Sequence, residues 1–388
     1  MRPLSILHLL SNRWWTGTAE PVLALAQGLL ERRQQVVLGV PADSQVEELA
    51  RKAGVPLLEG LRLDPRFHPS SWLQDVCTLR AFLRRTAVDV LHTHLSHDHW
   101  LALSAVRLLD PGRGRVPLQV RTVHTMRPPR SLSNRWLLRH GAAHLITVSS
   151  TLQRDLAERL RISSARISAI AGAVDSQRFH PALSGAHIRR ELGMSTTTPL
   201  VGIVARLAPS RGHLTLVEAF AQVHTAIPAA RLLIVGKGEF RPHIERRIRE
   251  LGLAEAVIFG GYREDDLPEV LAAMDVFVLL SPGSEGSCRA VLEAMAVGKA
   301  VVATRVGALQ DIVLDGETGL LIAPHALTAL VHAISRLLRA PEQARQMGLR
   351  GRQRIEHGFS RPRQVEEVLQ LYHQLHATQR RSSTRRNG

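Results

Sequence analysis

Two glutamates, Glu285 and Glu293, stand eight positions apart in "SPGSEGSCRAVLEAMAVGKAVVATRVG" at 281–307. If all eight steps are helical, they lie roughly 12 Å apart along the axis. Carboxylates that act as acid and base across one glycosidic bond lie about 5 to 9.5 Å apart. The spacing argues against such a pair and suits two contacts on separate parts of one extended ligand. A solvated helix residue and a loop residue are the structural alternative. Ser287 is a candidate N-cap, and Gly286 would let backbone approach a ligand closely. A helix start presents free N–H groups and a positive dipole end, which suit an anion or sugar oxygens.

A second cluster is "HTHLSHDHW" at 92–100, with His92, His94, His97, Asp98 and His99. Imidazoles bind metals, but the residues straddle a strand end and a helix start, and the spacing matches no known metal motif. No metal site is expected. His94, His97 and His99 are read as acceptor-side residues, with helix capping as the structural alternative. "GKG" at 236–238 is not a dinucleotide fingerprint, because Arg241 occupies the third glycine position.

These residues fall at the ends of short apolar runs, which alternate with segments of helical period. Strands are expected at 4–10, 35–40, 89–94, 118–123 and 144–149, then at 200–205, 231–236, 256–261, 275–280, 300–305 and 319–323. Helices are expected at 18–32, 213–226, 287–297 and 360–376, the last with Val365, Val368, Leu369 and Tyr372 on one face. Such alternation implies an α/β fold with parallel sheets covered by helices on both faces. The Pro-, Gly-, Ser- and Thr-containing stretch 181–199 reads as a linker between two doubly wound, Rossmann-like domains. Ligands of open parallel sheets bind outside the carboxyl ends of the strands, so the expected site is a cleft between two facing sheets.

The residues carry a family resemblance. The 281–322 segment, "SPGSEGSCRAVLEAMAVGKAVVATRVGALQDIVLDGETGLLI", resembles the nucleotide-sugar signature of the retaining glycosyltransferases of family 4 (glycosyl transferases group 1), which have the two-Rossmann GT-B fold. "VGIVARLAPSRGHLTLVEAFA" (201–221) is similar to the family's phosphate-binding segment. "RLLIVGKGEF", "VIFGGYREDDLPEVLAAMDVFVLLSP" and "GAVDSQRFHP" match in place and order. The resemblance implies an N-terminal acceptor-side domain over 1–183 and a nucleotide-sugar-binding domain over 199–358. A C-terminal helix over 359–377 would dock back toward the N-terminal domain, with a disordered basic tail over 378–388.

It also implies residue roles. Glu293 would bind the donor ribose. Glu285 would bind hydroxyls of the donor sugar, beside the backbone of Gly286, Ser287 and Cys288. Arg206 and Arg211 would hold the diphosphate and stabilise it as it leaves, which two fixed cations can do without a metal. Lysine is usual in the family where Arg211 stands, so the point charge becomes a fork. Tyr262 and Arg263 are candidates beside the base. Gly17, in "SNRWWTGTAE", matches the family's glycine loop, although paired glycines are common there and this chain has one. His124, ending "VRTVHT", would contact the donor sugar near the reaction centre. The implied reaction is transfer from a UDP-, GDP- or ADP-sugar with retention of configuration, no cofactor being needed.

Composition bounds the partners. The 388 residues carry a net charge of +16, almost all of it arginine, since Lys52, Lys237 and Lys299 are the only lysines. Such charge favours an anionic partner. Aromatics are 4%, too few for stacking platforms, so nucleic acid is not expected. An anionic membrane surface and a lipid-linked or lipopolysaccharide-type acceptor are. Trp14 and Trp15 would be core aromatics or membrane anchors. No apolar run reaches spanning length, and Leu4–Leu10 reads as a buried strand rather than a signal peptide. With two cysteines, Cys77 and Cys288, a cytoplasmic protein is expected, peripheral on the inner face of the plasma membrane. A sugar-nucleotide epimerase of the same fold and a non-catalytic two-domain sugar-binding protein are the rival readings.

Overall fold

The structure is a computed structural model that describes residues 2–64, 66, 68–109, 116–125, 129, 131–280 and 285–384; side chains of 285–287 and 380–384 lie outside that description. The chain divides into two compact units. The first is Met1–Gly172 with Arg361–Gly388, and the second is Ala173–Ser360.

In the first unit the strands are β1 (Ser5–Leu9), β2 (Gln35–Gly39), β3 (Val90–Thr93), β4 (Leu118–Val123), β5 (His144–Thr147) and β6 (Ile167–Ala169). Between them run α1 (Ala19–Glu31), α2 (Gln45–Lys52), α3 (Pro69–Arg85), α4 (Ser96–Arg107), α5 (Leu132–His140) and α6 (Ser150–Leu160). The sheet order is β2-β1-β3-β4-β5-β6, and each pairing is parallel. Apolar strand residues are buried on both faces, as helices on both sides of a sheet require.

The second unit holds α7 (Ala186–Glu191), β7 (Leu200–Val204), α8 (His213–Ala226), β8 (Arg231–Val235), α9 (Arg241–Glu250), β9 (Val257–Gly261) and α10 (Leu267–Ala273). It continues through β10 (Val276–Leu279), α11 (Glu285–Ala296), β11 (Ala300–Thr304), α12 (Leu309–Ile312), β12 (Leu320–Ile322), α13 (Leu327–Arg339) and α14 (Pro341–Gly358). Its order is β12-β11-β10-β7-β8-β9, again parallel throughout. Read from the other edge this is the dinucleotide-fold order, with its reversal between β7 and β10. In the first sheet the reversal lies between β1 and β3.

Three expectations need correction. The stretch 181–199 is not a free linker: it folds onto the second unit. Arg189, buried, donates to the carbonyls of Ala273, Ser195, Thr196 and Thr198 and pairs with Asp275 at 3.0 Å. The Ser/Thr run thus supplies acceptors to a buried guanidinium, and the chain enters the second unit at 173. Arg352 likewise donates to the carbonyls of Ser176 and Phe179, holding the segment before 181.

The last helix, α15 (Arg361–Thr384), runs past 378, where a tail was expected to begin. "HATQRRSST" contains no glycine or proline to stop it, and Asn387 and Gly388 come later. Val365, Val368, Leu369, Leu371 and Tyr372 of α15 enter the same core as α1. The third correction is Ser287, which is not the cap of α11: the helix already begins at Glu285. Finally, β6 was not anticipated, because three residues, Ile-Ser-Ala, are too few to show a period.

Candidate functional site

In the second unit the residues that follow β7 and β10 flank the reversal of strand order. Arg206 and Arg211 lie on the connection from β7 to α8, a loop braced by glycines elsewhere in the sequence. Gly212 has φ +77°, and a Cβ there would lie 2.5 Å from Cβ of Leu280 at the end of β10. Gly238 has φ +158°, and its Cβ would lie 2.2 Å from the carbonyl oxygen of Leu207. "GKG" therefore works here as the bed on which the arginine loop rests. The amide of Leu207 donates to the carbonyl of Lys237 at 3.1 Å.

Arg206 is exposed, and its guanidinium donates to both carboxylate oxygens of Glu239 at 3.0 and 3.2 Å. Such an exposed pair is easily exchanged for an incoming anion. Arg211 is half-buried, and burial, then the charge of Arg206, pulls its pKa below the ordinary arginine value. His213, buried at the start of α8, is pushed down to about 4 by burial and then by Arg211, so it is neutral. An arginine whose basicity is lowered by a second arginine beside it marks a place that favours an incoming anion.

Glu293 lies on α11, two turns in from the helix start, and is buried. Arg289, one turn before it, donates to its carboxylate at 2.7 Å. A buried carboxylate on the helix that follows the switch strand is placed to accept hydroxyl donors while Arg289 balances its charge. Cys288 is buried beside this turn. The side chains of Glu285, Gly286 and Ser287 fall outside the described residues. Tyr262 is exposed, with Lys237 Nζ 4.1 Å from its ring centre, and its hydroxyl donates to Glu264 at 3.1 Å. Burial and Glu264 raise its pKa. Arg263 differs, because its guanidinium is already engaged with the carbonyl of Gly260, with Asp266 and with Glu191.

In the first unit the residues after β1, β3 and β4 gather at the other reversal point. Asp98, at the start of α4, is completely buried. Its carboxylate accepts from the amides of Ser11 at 2.9 Å, His94 at 3.2 Å and Leu95 at 2.7 Å. One carboxylate thus ties the turn after β1 to the turn after β3. Burial raises its pKa, opposed by the charge of Arg121 and by these donors. Arg121, buried on β4, is pushed down to about 10 by burial.

His8, His92, His94 and His124 are all buried here. His8 Nδ1 lies 3.0 Å from His94 Nε2, and His94 Nδ1 lies 3.1 Å from His124 Nε2. His92 has Nδ1 2.5 Å from the Tyr372 hydroxyl and Nε2 2.7 Å from that of Thr122. Burial pushes His8 down to about 3, and His92 and His94 well below their ordinary value. Ring nitrogens of His8, His92 and His94 lie within 4.8 Å of one another. A metal ion there would have to displace these hydrogen bonds and share a dry region with Arg121.

The "HTHLSHDHW" cluster does not act as one group. His97 turns to Trp72, edge-on at 5.2 Å, on α3. His99 is buried two positions further along α4, is pushed down to about 3, and would lie 2.9 Å from a Cβ placed on Gly141. Only His94 of the three acceptor-side candidates joins the switch-point group, together with His8, His124 and Asp98. His8 was missed because it sits within an apolar strand. Gly17 lies one residue before Thr18, the N-cap of α1. Trp15 packs against the core, whereas Trp14 is 72% exposed.

Two family models match the chain. "Glycosyltransferase Family 4" covers residues 15–178, and "Glycosyl transferases group 1" covers 186–354. The chain is 27% identical over 313 residues to the UDP-Gal:alpha-D-GlcNAc-diphosphoundecaprenol alpha-1,3-galactosyltransferase of Escherichia coli, covering 77% of this chain and 79% of that protein. It is 30% identical over 293 residues to the 2-deoxystreptamine glucosyltransferase of Streptomyces kanamyceticus, covering 70% and 74%. The crystal structure of Anabaena HepE in complex with UDP and glucose superposes with a TM-score of 0.79 at 21% identity, over 95% of this chain and 99% of that one.

Proposed function

From the premise that this chain belongs to the group 1 (family 4) glycosyl transferases and has the GT-B fold, we propose that it moves a sugar from a nucleoside-diphosphate donor to a lipid-linked or lipopolysaccharide-type glycan with retention of configuration. The observation that carries the donor half is the pairing of Arg206 and Arg211 after β7 with a buried Glu293 after β10. The two cations hold the diphosphate and take up the charge that develops as the glycosidic bond breaks. Glu293 accepts the ribose hydroxyls. Glu285 and the backbone from Gly286 to Cys288 orient the sugar, and His124 contacts it near the reacting carbon. Tyr262 flanks the base. No protein nucleophile and no metal is needed: the departing diphosphate takes the acceptor's proton on the face from which it leaves.

The acceptor half rests on the outer side of α5. Leu132 is 79% exposed and Trp136, one turn on, is 40% exposed. Arg107 lies 5.4 Å from the Trp136 ring centre. A hollow of about 480 Å³ is lined by Trp136, Arg135, Arg139, Arg159 and Arg161. Exposed apolar groups rimmed by arginine suit the headgroup region of an anionic bilayer, where a lipid-linked acceptor and a peripheral cytoplasmic enzyme would meet. Among the described residues no helix is long and apolar enough to cross a membrane.

Thermal unfolding with UDP-, GDP- and ADP-sugars tests the donor, because a ligand of the folded state raises Tm. A flat response to all three overturns that half. An inverted anomer in the product, read by proton NMR, overturns retention. Flotation with phosphatidylglycerol vesicles tests the surface. Binding is expected at low salt and is lost in Leu132→Glu; equal binding to neutral vesicles overturns it.

A further inference from the structure

The three-histidine line His8–His94–His124 has a direction. Its ring centres are 5.3 Å apart at both steps and the planes differ by 15° and 30°. Those separations, with N···N distances of 3.0 and 3.1 Å, describe rings bonded edge to edge rather than stacked face to face. A neutral imidazole has one N–H and one bare nitrogen, so each ring's proton placement dictates the next.

Two wirings are available. With protons pointing inward, His124 Nε2–H donates to His94 and His94 Nε2–H donates to His8, leaving a proton on His8 Nε2. That nitrogen is buried and has no partner among the described residues. With protons pointing outward, His8 Nδ1–H donates to His94 Nε2 and His94 Nδ1–H donates to His124 Nε2. The inner end is then a bare nitrogen. Buried N–H groups without acceptors are rarer in proteins than buried acceptors without donors, so the outward wiring costs less.

We infer that His8 and His94 are positioning residues that hold His124 as its Nδ1–H tautomer, with Nε2 committed as an acceptor from His94. His124 then meets substrate as a hydrogen-bond donor through Nδ1 and not as a base through Nε2. The nearby Asp98 fixes the backbone of His94 at 3.2 Å and completes the frame. This rests on the reading above for the role of His124. The wiring itself is a property of the first unit alone.

The test is a long-range proton–nitrogen correlation spectrum of the full chain labelled with ring nitrogen-15 histidine, at neutral pH. Single substitutions His8→Asn, His94→Gln and His124→Gln assign the signals. The expected result is an Nδ1–H tautomer at all three rings. A proton on Nε2 of His124, or averaged shifts at any of the three, overturns the inference, and the wild-type spectrum alone decides it if a variant does not fold. In His94→Phe, His124 should show averaged shifts. Turnover should then fall about three- to tenfold at unchanged donor KM, the worth of one neutral hydrogen bond, and His94→Gln should recover part of it. His124 released in His94→Phe at wild-type turnover would leave the wiring standing and remove His124 from the reaction.

Discussion

At the reversal point of the first sheet, four buried imidazoles are linked to one another, to a tyrosine and to a threonine, and burial keeps three of them, His8, His92 and His94, neutral. At the reversal point of the second sheet, an exposed and a half-buried arginine stand on a glycine-bedded loop after β7, and a buried glutamate lies on the helix after β10. Both units use the same architecture of parallel strands and helices, and both place their unusual side chains on or after the strands around the reversal of order. The difference lies in charge. One edge fixes the direction of hydrogen bonds without net charge; the other gathers positive charge that an anion can neutralise. A fold thus gives the address of a site, and its chemistry is set by which side chains are dried and which remain wet.

The strongest way to break this comparison is Arg211→Ala, expected to lower kcat roughly 100-fold or more by removing a fixed charge from the leaving group. Arg211→Lys should restore most of that, and nucleoside-diphosphate release under saturating donor measures both. Glu293→Ala comes next. Its loss should weaken donor binding by about tenfold, read as a smaller rise of Tm with nucleotide sugar, with kcat less affected. Wild-type values in either variant would remove the donor assignment from the second unit.

Acid sharpens the contrast. Burial lowers His8 and His99 to about 3 and His144 to about 4, and lowers His92 and His94 strongly, all in the first unit. Among the described residues of the second unit, His213 is the histidine so lowered, to about 4. A group with a depressed folded pKa contributes stability that is complete above its unfolded value, near 6.5, and is lost as pH falls toward the folded value. Each fully buried histidine should cost about 1 kcal/mol per pH unit in that window. Hydrogen exchange at pH 7 and pH 5 should therefore show the first unit opening well before the second; equal loss would dissolve the distinction. The smallest expected change is Glu239→Gln, which releases Arg206 and should tighten nucleotide binding by less than about threefold, measured by titration calorimetry.

Much of the fold was legible because it is written in period. Apolar runs marked eleven of the strands in the topology, and the span 213–226 coincides with α8. What escaped was written in contacts. The Ser/Thr run at 195–198 looks like a linker until Arg189 is seen drawing on its carbonyls. "GKG" looks like a failed nucleotide motif until the backbone of Leu207 is found against it. Five chemistry-bearing residues in "HTHLSHDHW" look like one site, but strand and helix periods send His94, His97 and His99 to three surroundings. His8 was invisible because one polar residue inside an apolar strand has no pattern of its own; its meaning comes from strands β1 and β3 lying side by side.

The bond between Tyr372 and His92 joins residues 280 positions apart. Because the second unit interrupts the first, a ribosome finishes all of residues 173–360 before it makes α15. Until then the apolar faces of α1 and β3 lack the side chains of Val365, Val368 and Tyr372 that close over them. The portion of the molecule that is translated earliest is therefore the last to become whole. In the growing chain the second unit can complete its own core first, while the first unit waits, open and aggregation-prone, for its final helix.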